Sequence, residues 1–141
     1  MIKNYSLPNK NILDLLIDTS KENPNHILFI ENKNKITRKK FIEKILKVKG
    51  GLKKLGLKKG DRVLSLLNNS YEEVALFYAC ITSGIIWIPL GSERKGIGLK
   101  YIIKLTKPKI IFSKITKPKN LPKNLFKKFL KKNKNLKNLE R

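Results

Sequence analysis

The chain offers few side chains that could act as a nucleophile, a general base or a metal ligand. Cys80 is the only cysteine and His26 the only histidine among 141 residues. A thiol becomes a catalytic nucleophile when a base lies beside it, and His26 is far from Cys80 in the sequence. We therefore expect Cys80 to be a buried, inert side chain on a helix. One imidazole without cysteines or carboxylates at ligand spacing predicts no metal site.

Glycine-rich loops that hold phosphate groups are the second kind of site to search for. The patterns GxGxxG and GxxxxGK[ST] do not occur in the sequence. Gly96 and Gly98 precede a predicted helix, but they lack the third glycine and the preceding strand of a dinucleotide loop. The run Thr82-Ser83-Gly84 is followed by two isoleucines and a tryptophan, where a phosphate loop needs more threonine and glycine. We interpret it as a turn between a helix and a strand.

The net charge is strongly positive and comes mainly from lysine. The chain has 33 Lys and Arg against 10 Asp and Glu, a formal net charge of +23, and only four of the basic residues are arginine. Such a charge is typical of proteins that bind nucleic acid or anionic membranes. Arginine, however, is the residue that phosphate and base recognition favour. The many lysines, asparagines and isoleucines indicate an AT-rich coding bias, so binding of nucleic acid or anionic lipid is the alternative function.

A long uncharged run raises the question of a membrane span. No charged residue occurs from Val74 to Ser92, which approaches the ~20 apolar residues that a spanning helix needs. The run is interrupted at Gly84 and Pro89, and its pattern changes from helical to β-branched after Gly84. We therefore expect a helix followed by a buried strand. The N-terminus has no apolar signal region, and a single cysteine allows no internal disulfide, so we predict a cytoplasmic localisation.

Residues 59–90 organise the chain, because they predict a turn, a strand, a helix and a second strand in that order. Asp61 and Arg62 are interpreted as turn and strand-edge residues, and 62–67 is a short apolar run of strand length. Ser70 and Glu73 predict a capping box at the start of the helix, and Gly84 predicts its left-handed C-terminal cap. The predicted core-facing stripe is Val74, Phe77, Tyr78 and Ile81. The second strand is predicted over 85–88, ending at Pro89, which gives a βαβ unit with parallel strands.

The flanking segments extend this unit. Asn11 predicts the cap of a helix over 12–21, and short strands at 27–30 and 35–37 predict a hairpin. Thr37 predicts the cap of a long helix, in which the spacing of the apolar residues places them on one face toward the core. Gly50-Gly51 within this helix predicts a close approach to a neighbouring strand. The apolar positions of that helix are Phe41, Ile45, Val48, Leu52 and Leu55. A helix over 98–106 and a strand over 109–113 follow. The predicted fold is α/β, a partial doubly wound parallel sheet (βαβαβ) preceded by a helix and a small hairpin.

An ordered series of short motifs carries a family resemblance. KGDRV, Asn69-Ser70 at the start of a helix, and TSGIIWIPL before a polar loop resemble the N-terminal region of the adenylate-forming ligases, also called the AMP-forming acyl-CoA synthetase superfamily. The upstream run KITRKKFIEKILKVKGGLKKLG and the downstream run GSERKGIGLKYIIKLTKPKIIFSK are similar to the flanking segments of that family. The resemblance covers about residues 10 to 114. Within the superfamily, PLGSERKGIGLKYII is most similar to ligases of the crotonobetaine/carnitine and fatty-acid kind.

This resemblance implies a chemistry whose main residues lie later in such enzymes. The family joins a carboxylic acid to the α-phosphate of ATP, with Mg²⁺, and then transfers the acyl group to a thiol, usually that of coenzyme A. Arg94 and Lys95 match the loop in which some members contact the nucleotide phosphate of coenzyme A, although Glu93 could occupy the matching position. No catalytic residue and no metal ligand of the family is expected in this chain. The resemblance thus implies a protein that is inactive alone, binds none of these cofactors tightly and needs the remainder of the ligase fold as its partner.

Two regions are predicted from these patterns. Residues 1–113 form the incomplete N-terminal portion of an AMP-binding ligase domain, and 114–141 form a tail rich in lysine and asparagine, helical or disordered. The tail carries ten Lys and Arg141 against Glu140 alone. Its apolar residues follow a helical pattern, which suggests either an amphipathic helix for an anionic surface or accidental patterning at a terminus. They are Leu125, Phe126, Phe129, Leu130, Leu136 and Leu139.

Overall fold

The computed structural model describes residues 10–31, 33–91 and 96–113. The predicted tail and the polar loop at 92–95 lie outside them. The elements in chain order are α1 (Ile12–Glu22), β1 (Ile27–Glu31), β2 (Asn34–Thr37), α2 (Arg38–Lys54), β3 (Arg62–Leu67), α3 (Tyr71–Ile81), β4 (Ile86–Gly91), α4 (Gly96–Thr106) and β5 (Ile110–Ser113). Within this part of the chain, no helix has the length and apolar character needed to cross a bilayer.

The sheet has the predicted doubly wound form. Its strand order is β4-β3-β5, and β3 pairs in parallel with both neighbours, so that Val63 lies opposite Trp87 on one side and Ile110 on the other. The two N-terminal strands, β1 and β2, form a separate antiparallel hairpin. The predicted α/β fold with a preceding helix and hairpin is therefore confirmed.

Helices cover both faces of the sheet because successive residues of a strand point to opposite sides. Val63 belongs to the larger core, which α2 and α3 complete with Phe41 and Ala79 among others. Leu64 and Leu66 point to the opposite face, where Leu99 of α4 covers them. Because α3 and α4 lie on opposite faces, the connections that follow β3 and β4 leave the sheet in opposite directions.

Three local predictions about helix ends are confirmed. The Asn11 side chain accepts hydrogen bonds from the amides of Leu13 and Asp14 and forms a complete capping box with Asp14. Thr37 caps α2 through its side chain. Gly84 has φ +66 after α3, a left-handed conformation that glycine adopts without steric cost.

The predicted core-facing stripe of α3 is confirmed only in part, because Val74 and Tyr78 pack against the core without being its most buried residues. The fully buried residues of this helix are Ala75, Leu76, Ala79 and Cys80, whereas Ile81 is 37% exposed. Helix α3 lies between α2 and the sheet, so it is apolar around most of its circumference and periodicity does not single out one face. The two alanines occupy the closely packed side because a small side chain lets the helix backbone approach its neighbours.

Two glycine and proline interpretations are also corrected. Gly50 and Gly51 make no close approach, since a Cβ atom built at either position would meet nothing within 4 Å. Pro89 does not end the second strand, because β4 continues to Gly91. A proline is tolerated there because β4 lies at the edge of the described sheet, where one side of the strand has no pairing partner.

Candidate functional site

A crevice opens where β3 and β4 end. The chain leaves β3 toward α3 on one face of the sheet and leaves β4 toward α4 on the other. The two connections therefore separate at the carboxyl ends of these strands. Ligands of doubly wound proteins bind at such a point, outside the carboxyl ends of the strands. The cavity has a volume of about 400 Å³. Its lining residues are Leu67, Asn69, Ser70, Glu73, Val74, Phe77, Trp87, Pro89, Leu90 and Gly91.

A hydrogen-bond chain through the buried Ser65 joins two lining residues of the crevice. The indole N–H of Trp87 donates to Ser65 Oγ across 3.0 Å, and the Ser65 hydroxyl donates to Glu73 Oε1 across 3.1 Å. Ser65 is completely buried in the middle of β3. The three side chains come from a strand, the following helix and the adjacent strand, so the chain of bonds joins all parts of the βαβ unit.

Ser70 and Glu73 are placed by the start of α3. The Ser70 side chain accepts a hydrogen bond from the Glu73 amide at 3.3 Å, as predicted. The Glu73 carboxylate, however, accepts from Ser65 instead of closing the predicted capping box on the Ser70 amide. This carboxylate in the first helical turn is favoured by the helix dipole.

The crevice can hold an apolar group and can accept hydrogen bonds, and its described residues supply no catalytic pair. Ser65 is inaccessible and its hydroxyl hydrogen is already used, so it cannot serve as a nucleophile for a substrate in the cavity. Phe77 and Trp87 form the aromatic wall, with ring centroids 5.1 Å apart. Among the described lining residues, Glu73 carries the only charged side chain.

The described lining does not match what coenzyme A would require. A nucleotide phosphate needs cationic or amide donors, and the described lining offers one carboxylate and no lysine or arginine. These residues alone therefore do not fit a phosphate group. The predicted residues Arg94 and Lys95, and the alternative Glu93, lie outside the described residues; in the sequence they come shortly after Gly91, which lines the crevice.

The other residues considered as candidate site residues in the sequence lie away from the crevice. Cys80 is buried in α3, and burial raises the pKa of its thiol to about 12, which keeps it protonated and unreactive at neutral pH. His26 is exposed in the loop before β1. Thr82 lies in the turn after α3, and its hydroxyl donates to the Tyr78 carbonyl at 2.7 Å. In the described part of the chain, no group of three or more His, Cys, Asp or Glu side chains is arranged to hold a metal ion.

Asp61 lies at the other end of the strands from the crevice, in the turn before β3. It is a structural turn residue, as predicted. Its Oδ2 atom accepts a hydrogen bond from the Lys58 amide at 2.7 Å and lies 2.6 Å from Lys109 Nζ. The hydrogen bond from Lys109, followed by that from the Lys58 amide, lowers the pKa of the Asp61 carboxyl. Lys109 also donates to the Gly56 carbonyl at 2.7 Å. One side chain thus connects the start of β5 to the turns before β3.

Sequence reasoning missed the network of Ser65 and Trp87. The signal was present, because a serine within the apolar strand RVLSLL needs a partner once it is buried. The partner could not be named from the sequence, since Trp87 is 22 residues away and reaches Ser65 only through the parallel pairing of β3 and β4.

Comparison with known proteins gives a consistent result. The family described as AMP-binding enzyme matches residues 16–139, a range that extends into the predicted tail. The search of curated proteins found no match.

Solved structures with the same fold include the following three proteins. An artificially fused adenylation–PCP di-domain, NpsA-ThdA, from Klebsiella oxytoca is 20% identical, with a TM-score of 0.71 over 80% of this chain and 21% of its own. VinN, solved with L-aspartate, is 24% identical, with a TM-score of 0.67 over 72% of this chain and 29% of its own. The N-terminal domain of FACL13 from Mycobacterium tuberculosis, solved with an inhibitor, is 24% identical, with a TM-score of 0.68 over 74% and 27%. The 141 residues therefore correspond to less than a third of each of these chains.

Proposed function

Because this chain belongs to the family of AMP-binding enzymes, we propose that it is the N-terminal portion of an AMP-forming acid–thiol ligase. The complete enzyme activates a carboxylate with ATP and transfers the acyl group to coenzyme A. The observation that carries this proposal is the family match over residues 16–139 in a chain that spans only 21% to 29% of its structural neighbours. Residues 1–141 are proposed to be inactive without the remainder of the ligase.

Uncovered apolar surface supports the need for further protein. On the outer side of α4, Ile97 is 86% exposed, Tyr101 64% and Leu105 66%. These residues recur every four positions and form one stripe along the helix. Apolar stripes of this kind are normally covered by another element. Parallel sheets are likewise found with both faces buried.

Arg94 and Lys95 are the residues proposed to bind the nucleotide phosphate of coenzyme A. Their support is their position in the sequence, three and four residues after Gly91, which lines the crevice. ATP and Mg²⁺ would be held by residues outside this chain. Coenzyme A is the proposed acceptor of the acyl group. The alternative acceptor is the thiol of a carrier protein.

The first experiment measures adenylate formation. Purified protein is incubated with ATP, Mg²⁺, labelled pyrophosphate and fatty or betaine-type acids, and exchange of label into ATP is followed. We expect no exchange by the chain alone. We expect exchange from a chimera in which these residues replace the matching segment of a related complete ligase. Turnover by the isolated chain would contradict the proposed incompleteness.

The second experiment tests the acceptor in the same chimera. Replacing Arg94 and Lys95 by Ala is expected to raise KM for coenzyme A without changing pyrophosphate exchange, because adenylation precedes thiol binding. Lys100→Ala, which removes an exposed cation of α4, is the matched control. Equal KM values for coenzyme A in all variants would remove Arg94 and Lys95 from the site, and transfer to a carrier protein alone would change the proposed acceptor.

A second candidate function is favoured by the charge of α2. This helix carries eight lysines and arginines and one acidic residue, Glu43, which is a basic surface suited to nucleic acid or anionic lipid. The proposal predicts DNA binding that weakens with salt, weakens when the lysines of α2 are replaced by Ala, and weakens when the basic residues 114–141 are removed. Binding that is absent at low salt would leave the lysines as solvated surface charge.

A further inference from the structure

The crevice at the carboxyl ends of β3 and β4 combines two aromatic rings with one carboxylate. Phe77 and Trp87 both line it, and their ring planes are tilted by 55° with centroids 5.1 Å apart, so the rings form two adjoining walls. Glu73 lines the same cavity, and apolar residues form most of the remaining wall. The faces of aromatic rings attract cations, tryptophan most strongly. A carboxylate beside such rings is a composition suited to an organic cation.

The Glu73 carboxylate is held in place and can still accept hydrogen bonds. Its Oε1 atom accepts from the buried Ser65 hydroxyl, which fixes the side chain against β3. The two oxygens of a carboxylate together accept about four hydrogen bonds, and the bond from Ser65 uses one of them. Glu73 is half-buried and belongs to the lining. The remaining acceptor positions are therefore available to a donor inside the crevice.

The charges nearest the crevice favour a cation, although the whole chain is strongly positive. Among the described lining residues, Glu73 carries the only charge, and Glu72 precedes it in the first turn of α3. The dipole of α3 places about half a positive charge at this end of the helix, which is less than the full negative charge of one carboxylate. Charges more than about 8 Å away are largely screened at physiological ionic strength. The local field therefore has the sign of Glu73.

We propose that the crevice binds an organic ammonium ion, that is, an apolar or aromatic body of a few carbon atoms with one cationic nitrogen. The nitrogen lies against Glu73, and the body lies against Phe77 and Trp87. The cavity volume of about 400 Å³ is in the range of about 300 to 1,000 Å³ of ligand pockets. Such binding is independent of the ligase activity proposed above, because every residue that forms it is among the described residues.

The aromatic wall reports on its own ligand. Trp87 is the only tryptophan in the chain, so its indole N–H gives one signal in a nitrogen-15 NMR spectrum. The full chain is titrated with benzylammonium, benzyl alcohol and phenylacetate, which share one aromatic body and differ in charge. We expect a saturable shift of the indole signal with benzylammonium, an affinity about 2- to 30-fold lower for the alcohol, and no shift with phenylacetate at concentrations that saturate the amine.

Glu73 and Glu72 provide a matched pair of variants. They are adjacent in α3, and Glu73 lines the crevice whereas Glu72 lines a different groove, beside α2. Glu73→Gln keeps an oxygen for the Ser65 hydroxyl and is expected to lower the affinity for benzylammonium to that for the alcohol. Glu72→Gln is expected to leave both affinities nearly unchanged. Unchanged affinity for the alcohol in Glu73→Gln shows that the crevice is intact, and Phe77→Leu is expected to weaken both ligands.

Three results would overturn the proposal. Equal affinities of the parent chain for the amine and the alcohol would show a merely apolar cavity. Equal losses in Glu72→Gln and Glu73→Gln would show a general effect of charge, and an equal shift with sodium chloride would show an effect of ionic strength.

An ammonium group also occurs on lipid head groups, so the source of the ligand is tested with vesicles of phosphatidylcholine. Sedimentation of the parent chain but not of Glu73→Gln with these vesicles assigns the site to a lipid head group. Binding of benzylammonium without sedimentation assigns it to a free small molecule. Either result supports the ammonium site, whereas absence of both kinds of binding overturns it.

Discussion

The Ser65 hydroxyl donates a hydrogen bond to Glu73 Oε1 across 3.1 Å and so joins the centre of β3 to the first turn of α3. The Trp87 indole donates to the same hydroxyl from β4. Each of the three polar groups would otherwise be partly or fully removed from water without a partner. Because unpaired buried polar groups are strongly unfavourable, this network holds the lining residues Glu73 and Trp87 in one arrangement.

Removal of the central hydroxyl is expected to destabilise the protein. Ser65→Ala leaves both Trp87 and Glu73 without this partner, and we expect a loss of about 1 to 3 kcal/mol in the free energy of unfolding. Trp87→Phe keeps an aromatic ring at the position but removes one donor, so a smaller loss of about 1 kcal/mol is expected. Urea denaturation followed by far-ultraviolet circular dichroism measures both variants. Equal stability of Ser65→Ala and the parent chain would contradict a structural role for this network.

The turn after α3 is expected to require glycine for two reasons. Gly84 has φ +66, and a Cβ atom there would lie 2.8 Å from Lys59 Cγ. Gly60 has φ +84 but nothing within 4 Å of its Cβ position, so it is the control for backbone strain alone. Gly60→Ala is expected to cost about 1 to 2 kcal/mol, and Gly84→Ala more than Gly60→Ala.

A double variant separates these two contributions. Lys59→Ala removes the Cγ atom, so it is expected to recover part of the stability lost in Gly84→Ala and none of that lost in Gly60→Ala. The measurement is the shift of the urea midpoint in each single and double variant. Additive effects of Lys59→Ala and Gly84→Ala would show that the close contact carries no energy.

The ion pair of Asp61 and Lys109 is expected to make stability depend on pH in the acid range. Its hydrogen bonds lower the pKa of Asp61 in the folded chain, so its stabilising contribution is present above the unfolded pKa of about 3.9 and is lost as pH falls through the lower folded value. Asp61→Asn is therefore expected to be less stable than the parent at pH 7 and equally stable in strong acid. Because this pair is partly exposed, the difference at neutral pH should be modest.

Glu22→Gln, which removes an exposed carboxylate at the end of α1, is the control for the pH measurement. The urea midpoints of the three proteins are compared at several pH values between neutral and strongly acid. A constant difference between the parent and Asp61→Asn at all pH values would show that the folded pKa of Asp61 is not lowered.

Cys80 is expected to resist thiol reagents while the protein is folded. Its thiol is fully buried with a pKa raised to about 12, so very little thiolate is present and access is blocked. A chromogenic disulfide reagent at pH 8 should detect no thiol in the native chain and one thiol per chain in denaturant. Rapid reaction of the native chain would place Cys80 at an accessible site.

The comparison of sequence and structure is clearest at the ends of elements. Asn11, Ser70 and Gly84 were predicted as caps because each acts through bonds or dihedral angles within a few residues of itself, and these local interactions are visible in the sequence. The alternation of strands and helices was predictable for the same reason, since the change of apolar period is local.

The sequence by itself thus determined the order of elements, the βαβαβ class and the place of the chain in its family. Only the tertiary structure decided which side of α3 is buried, because the helix is apolar on several sides and the choice depends on how closely α2 and the sheet approach it. It also decided the pairing of Ser65 with Trp87 and of Asp61 with Lys109, which lie 22 and 48 residues away in the chain. Such contacts depend on strand register and packing, and neither leaves a local pattern in the sequence.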